Sequence, residues 1–339
     1  MSTCFRNSIL VLVIGLFMSA FALAAKPTLY VKGSQLYAPD GEPILLRGIN
    51  HMFIWTDKEG KSIPEMAKTG ANSVRIVWDT YGATEDLDKL IVKSINNGMI
   101  PIVEVHGATG KWEKLPEMVD YWVRPDVVNL IKKYERYLLV NIANEAGKDA
   151  VPSTEYLAVY KAAILKIRKA GIRSPLVIDA DGYGNNPNNL LSQGQALIAA
   201  DPRHNLLLSL HIYWPYAWHD KKASGYDTVE SRITGTMEQA IAHHLPLLIG
   251  EFASLGPTKT CDLPIPYQFL IAEAQRLNIG WLAWSWGPGN SDCKDMDMTT
   301  NGEFSTLVGW GLDVAVTNTY SIKNTSKRPA FISEHHDKF

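Results

Sequence analysis

Two glutamates stand at the ends of similar apolar runs. Leu139, Val140 and Ile142 lead to Asn144-Glu145, and Leu247-Leu248-Ile249-Gly250 leads to Glu251. A strand buried on both faces reads as a short continuous apolar run, so each segment predicts a strand that carries a carboxylate to its C-terminal end. Two carboxylates brought to one end of a parallel barrel can hydrolyse a glycosidic bond. One protonates the leaving oxygen while the other attacks the anomeric carbon or activates a water.

Arg75 supports a division of labour between them. It lies between Val74 and Ile76-Val77, so its guanidinium must either reach solvent or be paired inside the barrel mouth. If Glu251 is the partner, the cation lowers that carboxyl's pKa and keeps it ionised, as a nucleophile requires. Glu145 would then stay protonated as the acid, its pKa raised by burial and by the neighbouring anion. A purely structural ion pair is the competing reading for Arg75. Other apolar runs end on Asn50 with His51, Trp78, His106, Asp179 with Asp181, His211 with Tyr213, and Trp284 with Trp286. Each alone has a bland explanation, since a single His is often only hydrogen-bonded into the structure. Gathered on one rim they describe a site.

Eight strands are needed to hold these groups. The apolar runs place them at Leu45 to Asn50, Asn72 to Trp78, Met99 to His106, Tyr137 to Glu145, Leu176 to Ala180, Leu206 to Tyr213, Leu247 to Glu251 and Ile279 to Trp284. Helical patterns fall between them, at Ile63 to Lys68, Asp86 to Asn96, Arg124 to Tyr134, Thr154 to Lys169, Leu190 to Ala200, Thr228 to His243 and Tyr267 to Leu277, with Gly70, Gly98 and Gly171 at C-cap positions. The alternation predicts a (β/α)8 TIM barrel. Upstream, turn residues at Gly33-Ser34 and Asp40-Gly41 predict a β-hairpin capping the barrel floor. No linker-like stretch interrupts residues 25–339, which are read as one catalytic domain.

The chain's 339 residues are 46% hydrophobic, enough for a large core and too apolar for a disordered polymer. A net charge of -2 without a basic cluster argues against nucleic acid and anionic membranes as partners. Ten Trp and fourteen Tyr suit an uncharged sugar, whose C–H faces stack on aromatic rings, although core packing also uses such residues. Arg6, the apolar run Ile9 to Phe21 and the small residues around Ala22-Leu23-Ala24 read as a secretory signal peptide over residues 1–24; a retained anchor is the alternative. Export to the extracellular space or periplasm, with no membrane attachment after cleavage, follows from that reading. Cys4 leaves with the leader, and Cys261 and Cys293 either form a disulfide in an oxidising compartment or remain two free thiols. Neither His243-His244 nor Asp292, Asp295 and Asp297 has metal-site spacing, so no metal and no cofactor is expected.

The segments Arg47 to His51, Val103 to Lys111, Val140 to Glu145, Ile249 to Phe252 and Gly280 to Trp286 resemble glycoside hydrolase family 5, over nearly the whole chain after the leader. The stretch Tyr320 to Ser326 is similar to the bacterial endo-β-1,4-mannanase branch. The resemblance implies a retaining enzyme with Glu145 as general acid/base and Glu251 as nucleophile. It further implies that Asn144 holds the sugar 2-hydroxyl, that Arg75 and Tyr213 hydrogen-bond the nucleophile, and that His106, His211 and Trp284 line the cleaved sugar's subsite. Trp214-Pro215-Tyr216 and Ala146-Gly147 depart from the family's pattern. The expected protein is a monomeric, secreted endo-β-1,4-glycanase acting on a plant-type polysaccharide, β-mannan first and cellulose or another β-glucan second. A noncatalytic carbohydrate-binding barrel is the alternative from a different class; it would keep the Trp platforms but has no use for both glutamates and Arg75.

Overall fold

Eight parallel strands close on themselves in the computed structural model, which describes residues 28–333; the expected leader lies outside them. A short antiparallel sheet of β1 (Tyr30–Lys32), β2 (Gln35–Tyr37) and β3 (Pro43–Ile44) comes first. The barrel follows as β4 (Arg47–His51), β5 (Ser73–Trp78), β6 (Ile100–Val105), β7 (Leu139–Asn141), β8 (Leu176–Asp179), β9 (Leu206–His211), β10 (Leu247–Glu251) and β11 (Gly280–Ala283). Pairing runs in chain order and β11 joins β4, so no edge is left open. Nearly every barrel-strand residue is buried, which explains why the strands read as unbroken apolar runs.

Helices cover the outer faces and return the chain to the floor. Among them are Thr84–Asn96, Leu115–Trp122, Pro125–Lys133, Ser153–Lys169, Pro187–Ala200, Val229–Ala242 and Tyr267–Arg276. Thr228 and Ser231 start one of them with a reciprocal capping box, each side-chain oxygen accepting the other's backbone N–H at 3.0 Å. Gly98 and Gly171 adopt φ of 72° and 96° just past helix ends, the left-handed turn that their positions called for. At the floor, Asn205 ahead of β9 accepts from Val31 N at 2.9 Å and donates to Leu29 O at 3.1 Å, fixing the small sheet below the barrel. The C-terminal segment clasps the first barrel strands: Asn72 Nδ2 donates to Lys327 O at 3.0 Å and Arg47 Nε to Thr325 Oγ1 at 3.1 Å. No helix among the described residues is long and apolar enough to cross a membrane.

Three expectations are corrected. The hairpin is a three-stranded sheet, because β3 adds to β2 across the Asp40-Gly41 turn. A helix at Leu115–Trp122 precedes the expected one; Pro116 sits in its first turn, where its missing N–H costs nothing. Strand β7 stops at Asn141 rather than Glu145. Beyond it Ile142 N still donates to Val177 O and Asn144 N to Val105 O, both at 3.0 Å, but Glu145 turns into the left-handed region at φ 45° and leaves the ladder.

Candidate active site

Arg75 is the hub of the barrel mouth. Register places it between Asn50 on β4 and Ile102 on β6, pointing inward, and only 1% of it is exposed. Its Nη1 donates to Glu251 Oε1 at 2.7 Å and Asn50 Oδ1 at 3.1 Å, its Nη2 to Asn144 Oδ1 at 2.6 Å, and its Nε to Asn141 Oδ1 at 2.9 Å. Nη2 also lies 3.5 Å from Asp179 Oδ2. Burial alone would disfavour the cation, but Glu104, Glu251 and Asp179 outweigh it and hold the guanidinium protonated.

Glu251 receives a second donor, Tyr213 Oη at 3.0 Å from Oε2. Burial holds that phenol well above its ordinary pKa, with the negative charges of Glu251 and Glu145 adding to the effect, so it remains a donor. The expected depression of the Glu251 carboxyl is not what the environment produces. Complete burial raises it, and the opposing pull of His211 and then Arg75 does not fully cancel that, with Glu145's charge adding to the rise. Arg75 acts in the expected direction; desolvation is the larger effect.

Glu145 is held from the side of β8 and β9. His211 Nδ1 meets Glu145 Oε1 at 2.7 Å and lies 3.6 Å from Glu251 Oε2, so one buried imidazole bridges both glutamates. Its Nε2 faces Asp179 Oδ2 at 3.5 Å without a hydrogen bond, an electrostatic contact. Burial disfavours the imidazolium, yet Glu251, Asp179 and Glu145 together raise His211 to about 9. The Asp179 carboxylate also accepts from Glu145 N at 3.2 Å and Asn141 Nδ2 at 3.0 Å, fixing the backbone at the left-handed residue. Glycine at 250 is a requirement of this packing: a Cβ there would stand 2.2 Å from Ser209 Oγ and 2.9 Å from His211 Nε2.

The opposite arc of the rim carries His106, Asn144 and Trp284. The His106 and Trp284 rings are nearly parallel, with centroids 6.0 Å apart, and half-exposed Trp55 meets His106 edge-on at 5.3 Å. Glu104 Oε1 takes His106 Nδ1 at 2.8 Å. Burial would lower that imidazole's pKa, but the Glu104 charge and hydrogen bond raise it above the ordinary value. Asn144 Nδ2 donates to Thr109 Oγ1 at 2.8 Å, which, with Arg75 on its oxygen, locks the amide orientation. Trp284 Nε1 donates to Asn290 Oδ1 at 2.9 Å.

These groups floor a cleft of about 1170 Å³ that runs on past Tyr183, Trp214, Trp218 and Arg232. Cys261 and Cys293, in the loops after β10 and β11, are joined at an S–S distance of 2.11 Å with Cα atoms 5.3 Å apart. Donor atoms of Glu145, His211 and Glu251 lie within 4.8 Å of one another, the spacing of a metal site. The same three groups are already tied to one another, His211 Nδ1 lying 2.7 Å from Glu145 Oε1 and 3.6 Å from Glu251 Oε2. Asp297, one of the acids weighed from sequence, is engaged by Gly289 N and by Asn290 Nδ2 and folds its loop.

Of the residues expected from sequence, His106, Asn144, Glu145, Tyr213, Glu251 and Trp284 line one cleft, and Arg75 and His211 lie buried beneath it. Glu104 and Asn141 were not among the expected site residues, and Asp179 was expected on the rim without a particular role. For Glu104 the signal was present: a charged residue flanked by Val103 and Val105 poses the same question that Arg75 does.

The model of the "Cellulase (glycosyl hydrolase family 5)" family matches residues 37–290. A mannan endo-1,4-β-mannosidase of Cellvibrio japonicus is 30% identical over 96% of this chain and 75% of its own length. One of Salipaludibacillus agaradhaerens is 32% identical, over 88% of this chain and 94% of its own. Among solved structures, a β-mannanase from Streptomyces thermolilacinus superimposes with TM-score 0.79 at 31% identity, covering 90% of this chain and 99% of that one. A structure of the same enzyme with mannohexaose superimposes equally well, at 30% identity.

Proposed function

The chain belongs to glycosyl hydrolase family 5, and from that premise we propose that it is a retaining endo-β-1,4-mannanase. One observation carries the mechanism: an oxygen of Glu145 and an oxygen of Glu251 come within 4.8 Å, with His211 bridging them. Inverting enzymes hold their carboxyl groups roughly 6.5–9.5 Å apart to admit a water, whereas retaining enzymes hold them about 5–5.5 Å apart. The close pair supports direct attack.

In this reading Glu251, oriented by Arg75 and Tyr213, attacks the anomeric carbon of the sugar resting on Trp284. Glu145 gives its proton to the departing oxygen. The sugar is left as an ester of Glu251, and water then releases it while Glu145 takes the water's proton. Arg75 and the Tyr213 hydroxyl are fixed before charge redistributes, so they cost no reorganisation in the transition state. Mannan as substrate is supported by the names of the relatives that align over most of this chain. Export is supported by the leader-like residues 1–24.

Purified protein lacking residues 1–24 should release reducing ends from β-1,4-mannan faster than from carboxymethyl cellulose. Product should form with the β-anomer first by proton NMR. Faster cutting of cellulose would replace mannan by β-glucan as the substrate, and initial α-product would overturn retention.

A further inference from the structure

Glu104 is a buried charge that the mechanism does not use. It sits on β6 in register with Val77 of β5 and Asn141 of β7, and none of its side chain is exposed. Oε1 meets His106 Nδ1 at 2.8 Å, and among the described residues Oε2 has no hydrogen-bond partner. Leaving half of a buried carboxylate unpaired costs stability, so packing does not account for this residue.

The groups beside it form a chain of polar contacts whose two ends are fixed. A guanidinium only donates, so Arg75, 2.6 Å from Asn144 Oδ1, leaves the amide nitrogen to face Thr109 Oγ1 at 2.8 Å and His106 Nε2 at 3.4 Å. An ionised carboxylate only accepts, so His106 carries a proton on Nδ1. The surroundings of the ring compete over a second proton: burial opposes the imidazolium, Glu104 and then Glu251 favour it, and Arg75 opposes it. In either charge state the Nδ1 proton stays with Glu104. Nε2, on the far side of the ring beside Asn144, is the atom left for a ligand in the cleft that His106 and Asn144 both line.

We propose, resting on the glycosidase reading above, that Glu104 is a positioning residue for His106. By accepting from Nδ1–H it holds the ring within 20° of the Trp284 plane and turns Nε2, with the Asn144 amide beside it, toward the hydroxyls of the cleaved sugar. Arg75 and Glu104 thus set two adjacent rim groups from opposite ends, one by donating and the other by accepting. His106 touches the sugar, and Glu104 acts through it.

NMR of protein with isotopically labelled histidine nitrogens reports which ring nitrogen carries the proton, and His106→Gln identifies the His106 signal by its loss. On the alkaline side of the titration the wild-type ring should be protonated at Nδ1. A neutral ring protonated at Nε2 overturns the proposal, whatever polysaccharide the enzyme cuts. Glu104→Gln keeps the shape and removes the charge, and its amide can either accept from the ring or donate to it. In that variant the neutral ring should become a mixture of the two forms, and it should give up its second proton at lower pH than in the wild type. Activity is read on β-mannan and on carboxymethyl cellulose, using whichever the wild type cuts faster; a preference for cellulose moves the substrate assignment and leaves these comparisons intact. In Glu104→Gln, kcat/KM should fall about tenfold, the difference between a hydrogen bond to a charged group and one to a neutral group. The double variant Glu104→Gln/His106→Gln should be no slower than His106→Gln alone. A wild-type rate in Glu104→Gln, or losses that multiply in the double variant, overturns the proposal, since Glu104 would then be idle or would act through Arg75 or the fold. The wild-type ring signal remains decisive if Glu104→Gln folds poorly.

Discussion

Arg75 does two separable things, and two substitutions tell them apart. Its positive charge favours ionised Glu251, and its fork satisfies three buried amide oxygens, on Asn50, Asn141 and Asn144. Arg75→Gln removes the charge at similar length; Arg75→Lys keeps the charge and loses the fork. With an effective dielectric of about 20, unit charges some 4 Å apart interact by about 4 kcal/mol, equivalent to about 3 on the pH scale. The glutamine amide can return one hydrogen bond, so the acidic limb of kcat/KM for Arg75→Gln should rise by about 1 to 3. In Arg75→Lys the limb should stay close to wild type. Both variants orphan at least two buried acceptors at about 1–3 kcal/mol each, so both should lose roughly 2–6 kcal/mol of stability. The assays are pH profiles on an aryl β-mannobioside and urea melts. If the limb moves equally in both folded variants, or in neither, charge tuning of Glu251 by Arg75 is wrong.

His211 gives a signed pH dependence of stability. Its pKa is raised in the fold to about 9 from the ordinary 6.5, so its contribution is complete below about pH 6.5 and lost as pH climbs through about 9. On the order of 3 kcal/mol is at stake, and His211→Gln should flatten the fall in urea midpoint between pH 6 and 9.5; parallel slopes would refute this. Asp179→Asn should cut kcat/KM on β-mannan about 10- to 100-fold by loosening Glu145 N and removing a charge beside His211, and near-native rates would deny Asp179 that role. Reduction of Cys261–Cys293, which spans 32 residues, should cost about 3–4 kcal/mol by the chain-entropy model; an unmoved Tm with reductant would show that the loop is held by other contacts. Glu145→Gln should lose far more activity on β-mannan than on a dinitrophenyl glycoside, whose leaving group needs no proton; equal losses would remove Glu145 as the acid.

The barrel was legible because parallel strands buried on both faces leave unbroken apolar runs, and a charged or polar residue at the end of such a run stands out. What was lost was set by contacts distant in sequence. Glu145 lies outside its strand because Asp179, 34 residues on, holds its N–H in a turned backbone. The Glu251 carboxyl is raised because its side chain is buried, and depth of burial is not written in its neighbours along the chain. The helix Leu115–Trp122 was missed because an opening proline and two closing aromatics look like loop until Tyr121 and Trp122 are seen facing the core. Trp218 looked like one more tryptophan; only the cleft distinguishes it.

The pairing of β11 with β4 bears on how the molecule forms. Arg75 and Glu251 are 176 residues apart, and Asp179 is 104 residues beyond Arg75, so a chain extending only through β7 would hold the cation with Glu104 but without the two carboxylates it contacts directly. Such a half-barrel leaves the Arg75 fork short of its ion-pair partner Glu251 until β10 arrives, and burying it before then would cost stability. Contacts this distant make for slow, late condensation. The appearance of activity during refolding should therefore track ring closure, with the catalytic centre reporting the last event rather than the first.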